Sequence, residues 1–180
     1  MSEGGQASGR EGQPSAAESE REAWLDEART ALEDLQEQVA SLRHGMGLFP
    51  PDFDKATWRE AFDAPVPRRN QCDTALLAFL VGIGEFNTAL QSGAVLDGLV
   101  VPALKKSQAP THYKALEEAG ILRPAERQSL TTINRTRNGV AHIYGEATAD
   151  EVHEAIEEFE GLLSSDLPQR IRNWLVRLGL

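Results

Sequence analysis

The residues of this sequence whose types and spacing could do chemistry are Arg137, Asn138 and His142, within Arg137-Asn138-Gly139-Val140-Ala141-His142-Ile143-Tyr144. A guanidinium can grip a phosphate through two parallel N–H donors and stabilise the charge that builds on it during substitution. An imidazole titrates near neutral pH, so it can move a proton to or from a ribose 2′-hydroxyl or a leaving oxygen. An amide can orient either partner. On a helix, Asn138 and His142 are four residues apart and share a face, and Arg137 and Tyr144 fall nearly in line. A helix C-terminus also favours the protonated imidazole, which suits an acid role. The set fits phosphodiester cleavage. It also fits a structural reading, in which an arginine and a histidine simply end a bundle helix. No metal is called for: His44, His112, His142 and His153 have no metal-ligand spacing.

Such a trio needs a helix to hold it and other helices to hold that helix. Pro124 stands where a helix can start, and Leu130, Ile133, Val140 and Ala141 follow at helical spacing, so the motif helix is expected over residues 125–145. Thr148 with Glu151 forms a capping-box pattern for a closing helix over 149–163. A last amphipathic helix is expected over 167–180, with Ile171, Trp174, Leu175 and Leu178 on one face. Arg170, Arg172 and Arg177 lie elsewhere on it, either as a solvated face or as a basic face toward RNA.

Upstream, Leu25, Ala28, Leu32, Leu35, Val39, Leu42 and Met46 alternate in steps of three and four, which predicts a long helix over 22–46. Its seam suits packing within an antiparallel bundle or a coiled coil with a second chain. Pro50, Pro51, Pro65 and Pro67 bracket a short helical candidate at Lys55–Phe62. Asn70–Leu90 carries Leu76, Leu77, Phe79, Leu80, Val81, Ile83 and Phe86 almost all round, as a central core helix does. Gly82 and Gly84 within it are read as permitting close helix contact, since GIGEFN lacks the strand and the third glycine of a dinucleotide loop. Ala94–Lys106 and His112–Ala119 are two further helical candidates, the second ended by Gly120. No segment alternates as a strand does. The expected fold is all-α.

The chain has 180 residues and a formal net charge of −10. Residues 1–40 hold three basic and ten acidic side chains, leaving fifteen and eighteen in the rest. The repulsion is therefore concentrated at one end, and a local basic site for RNA stays open. Residues 1–20 are rich in Gly, Ser, Gln and Glu and are expected to form a disordered acidic tail, the domain proper being 21–180. Cys72 is the only cysteine, so an intrachain disulfide and a cysteine zinc site are both excluded. No apolar run is read as membrane-spanning and no leader pattern as secretory, which fits a cytoplasmic protein.

The spacing Arg137, four residues, His142, one residue, Tyr144 resembles the R-x4-H-x-Y signature of HepT-like toxins in the HEPN superfamily of ribonucleases. A polar residue after the arginine, here Asn138, is typical of active members. The similarity runs from Tyr113 to Leu163, YKALEEAGILRPAERQSLTTINRTRNGVAHIYGEATADEVHEAIEEFEGLL. The resemblance implies a HEPN-type up-and-down helical bundle that cuts RNA without a metal or cofactor, as a toxin or phage-defence effector. Two chains would dimerise so that their motifs share one cleft, with Arg137 and His142 as the catalytic pair and Asn138 in support. It further implies a nucleotidyltransferase antitoxin that transfers AMP to Tyr144, where a bulky anion beside Arg137 would block RNA. A packed ring with a hydrogen-bonded hydroxyl is the plainer reading of Tyr144. The alternative function is a non-catalytic HEPN module that binds nucleic acid or a partner protein.

Overall fold

The computed structural model describes residues 14–47, 55–63, 70–101, 109–142 and 147–180. They form an all-α bundle of seven helices: α1 (Ala16–Gly47), α2 (Lys55–Asp63), α3 (Asn70–Leu96), α4 (Ala109–Glu118), α5 (Pro124–His142), α6 (Ala149–Ser164) and α7 (Leu167–Leu178). Each of the other six helices packs on α3. Its Phe79, Ile83, Phe86 and Leu90 are buried, each worth about 1.5–3 kcal/mol in transfer from water. The expectation that no stretch could cross a bilayer needs correcting here. By length and composition Thr74–Leu96 could do so, but 56% of it is buried inside the bundle.

The heptad seam of α1 lies along α3 within the same chain. Ala28 and Leu35 are buried in the common core, with Leu32 and Val39 packed against it. Gln38 meets Gly82, while Arg21 donates to the Leu178 carbonyl at the end of α7, whose Trp174 lies on Gly93. The two long helices therefore run antiparallel. α1 begins at Ala16, ahead of the expected start at residue 22 and inside the stretch expected to be disordered through residue 20. The cause is a capping box absent from the sequence reading: Glu18 N–H donates to Ser15 Oγ at 3.3 Å, and Ser15 N–H donates to Glu18 Oε2 at 2.7 Å. Residues 1–13 lie outside those described.

A second correction concerns Ala94–Lys106. Ala94–Leu96 is the end of α3, and the chain leaves the helix through Gly98, whose φ of +70° is left-handed. Gly98 N–H bonds the Val95 carbonyl and Leu99 N–H bonds that of Ala94, which satisfies the last carbonyls and stops the helix. Residues 102–108 lie outside those described. Gly120 ends α4 in the same way, at φ +74°, as expected.

The elements that carry the motif are held at both ends. Arg170 ties the start of α5 to α7 through Glu126 and the Ile121 carbonyl, while Arg123 binds Asp166 at 2.6 and 2.8 Å. The Thr148–Glu151 capping box is formed at α6. Across it lies α2: the buried Trp58 donates Nε1–H to the Ala149 carbonyl at 2.6 Å, and Arg59 pairs bidentately with Asp150. On α6, Phe159 packs edge-on against Phe79 and Phe86 at 6.0 and 6.1 Å. The last helix buries Ile171, Trp174 and Leu175, as its pattern requires.

Candidate functional site

Helix α5 is fixed in the core by Leu130 and Ile133, both fully buried. That anchoring sets the rotation of the next turns, placing Asn134, Arg137 and Asn138 along one face. Arg137 and Asn138, chosen from the sequence, are brought together. Both are half-buried, and Arg137 Nη1 donates to Asn138 Oδ1 at 3.1 Å. His142 is the last residue of α5, one helical step of four beyond Asn138. Its side chain lies outside the described residues, and so does Tyr144. The motif helix expected through 145 is described through His142.

The surroundings of the guanidinium explain its poise. Gly84 of α3 stands opposite, where an added Cβ would lie 3.9 Å from Arg137 Nη2. Gly82, by contrast, is in close helix contact: its Cβ would meet Phe159 Cε1 at 3.2 Å and Gln38 Cβ at 3.4 Å. Of the two glycines, Gly82 fulfils the packing role read from the sequence, and Gly84 leaves room beside a cation. Arg137 Nε is buried and has no hydrogen-bond partner among the described residues. Ala147, just past the motif, turns back onto Gly139, where an added Cβ would lie 3.5 Å from its own.

Behind Arg137 runs a chain of polar groups that sequence reasoning missed. The Tyr113 hydroxyl of α4 donates to Asn87 Oδ1 of α3, and Asn87 Nδ2 donates to Asn134 Oδ1 of α5 at 3.1 Å. Tyr113 is buried, and that burial raises the phenol's pKa well above its ordinary value, the Asn87 hydrogen bond and the Arg137 charge pulling the other way. Its neighbour His112 is buried as well, with burial lowering its pKa. A signal for Asn134 was present in the sequence: Asn134, Asn138 and His142 recur every four residues. Nothing in the sequence could pair Tyr113 with Asn87.

Chemically, the face presents a delocalised cation steadied by a neighbouring amide, on a helix described through His142. It can hold an anion through Nη2 of Arg137 and the NH2 of Asn138, which has no acceptor among the described residues. No family model, no curated protein and no solved structure matches this chain. The case for what the site does therefore rests on its own residues and on the motif they resemble.

Proposed function

We propose that this chain is a metal-independent endoribonuclease of the HEPN class, acting as a toxin or phage-defence effector in the cytoplasm. The observation that carries the reading is the Arg137–Asn138 pair, hydrogen-bonded at 3.1 Å with Nη2 turned toward the space left by Gly84, on the helix that ends at His142. In this reading the scissile phosphate binds Arg137, whose charge offsets that of the pentavalent transition state. His142 is the proton-transfer group, and Asn138 holds the guanidinium in place. The uncatalysed alternative lacks both the cation and the positioned proton carrier, so removing either residue should cost about 100-fold or more in rate.

The cleft is proposed to form between two copies of the chain. Leu77 is 63% exposed and Val81 36% exposed on α3, two turns and one turn before Gly84 respectively. An apolar stripe leading to the arginine suits a symmetric contact that brings two motifs together. A nucleotidyltransferase that adds AMP to Tyr144 is the proposed antitoxin. The test is growth of cells expressing the wild type, Arg137→Ala or His142→Ala, with total RNA run on a gel. Arrest and RNA fragmentation by the wild type alone support the reading. Equal growth and intact RNA in all three would turn attention to a binding module.

A further inference from the structure

We infer that Asn134 is a third anion-binding group of this site, held in its donor orientation by Asn87 and Tyr113, and that the three side chains of α5 together recognise an RNA phosphate. The inference rests on the ribonuclease reading of Arg137. It starts from hydrogen-bond polarity. The Tyr113 hydroxyl gives its proton to Asn87 Oδ1, so Asn87 faces Asn134 with its NH2. Asn87 Nδ2 then occupies Asn134 Oδ1. What Asn134 has left is its own NH2, and among the described residues that group has no acceptor. One turn on the pattern repeats: Asn138 Oδ1 accepts from Arg137, and its NH2 is the group without a partner among the described residues.

Among the described residues, the amide nitrogens of this face are left as unpartnered donors while each amide oxygen already accepts a hydrogen bond: the NH2 groups of Asn134 and Asn138 stand on the same helix face as the Arg137 guanidinium. Bases carry donors and acceptors alike, whereas a phosphodiester has only acceptor oxygens. The face is therefore selective for phosphate over base. Asn134 is only 6% exposed, and an amide in such a place usually finds partners for both ends. Keeping its donor end unpaired costs stability that an apolar residue would not, and the cost is recovered when an anion arrives in a low-dielectric setting. Tyr113 and Asn87 are positioning residues: they touch no substrate and act by fixing which end of Asn134 faces out.

The test is binding of a fluorescein-labelled 2′-O-methyl oligouridine at low salt, read by anisotropy on the full chain. The methylated probe has no 2′-hydroxyl to attack, so affinity is measured apart from cleavage. Asn134→Asp keeps the shape and still accepts from Asn87, but replaces the outward donor with a carboxylate oxygen. It should weaken binding about tenfold or more, and Tyr113→Phe about threefold, with both proteins folded by circular dichroism at the assay temperature. If Asn134→Asp does not fold, Tyr113→Phe decides, since it keeps the packed ring. Wild-type affinity in the folded variants, with binding lost in Arg137→Ala, would overturn the inference and leave the Arg137 reading standing. Wild-type affinity in Arg137→Ala, or no binding by the wild type, would overturn both.

Discussion

Two sides of α3 solve the packing problem in opposite ways. Toward α6 and α7 the contact is dry and close, with Gly82 against Phe159 and Gly93 against Trp174 and Leu175. Toward α4 and α5 it is built from amides, a phenol and a guanidinium: Asn87, Tyr113, Asn134 and Arg137. The dry side maximises burial, which is what stability asks for. On the polar side, buried groups need partners in definite orientations, and hydrocarbon of the same size would have served the fold as well. What this seam fixes is the orientation of the Asn134 amide, one turn before Arg137.

The sharpest way to break the dry side is Gly93→Ala. A Cβ there would stand 2.4 Å from Trp174 Cη2 and 2.8 Å from Leu175 Cδ2, so ring and backbone must separate. Overpacking of this kind should cost about 3 kcal/mol of unfolding free energy, read by urea denaturation. The same substitution on the polar side, Gly84→Ala, meets Arg137 Nη2 at an ordinary 3.9 Å. It should be neutral to stability or gain up to about 1 kcal/mol from helix propensity. If the two substitutions cost the same, the contrast between the sides is wrong.

A smaller loss is expected at the strap that holds α2 on α6. Trp58→Phe keeps most of the buried ring but removes the indole hydrogen bond to the Ala149 carbonyl, at a cost of about 1 kcal/mol by the same denaturation assay. The smallest effect is one of pH. Burial lowers the His112 pKa below its ordinary 6.5. The unfolded chain therefore takes up this proton first as pH falls through 6.5, and stability present above that pH is lost below it. His112→Leu should flatten the stability profile between about pH 7 and 5 relative to the wild type. An unchanged slope would mean that His112 has the same proton affinity in both states.

Local signals in the sequence were sufficient for several elements. Thr148 with Glu151, Pro124 and Gly120 act within one turn of themselves, and each appears where its chemistry requires. The seam of α1 marks its helix from about residue 22, whereas its start is set by the Ser15–Glu18 capping box, upstream of any apolar periodicity. Helical spacing alone carries Ala94–Lys106 as one helix, but Gly98 ends α3 with a left-handed turn that spacing does not show. What no local pattern holds is the meeting of distant groups. Gly93 looks like any helical glycine until Trp174 is laid on it, and Asn87 looks like a surface amide until Tyr113 and Asn134 bond it from two other helices. Arg137 and Asn138 could be picked out since they are adjacent and of telling types. The chain that orients their face is tertiary.

The central claim, that Arg137 and His142 cut RNA, is most directly tested with purified protein and one fluorescent oligonucleotide made as RNA and as DNA. The wild type should cleave the RNA, leave the DNA intact and retain activity in a chelator, while Arg137→Ala and His142→Ala each lose about 100-fold or more. Cleavage that persists in either variant, or that proceeds equally on DNA, would contradict the account.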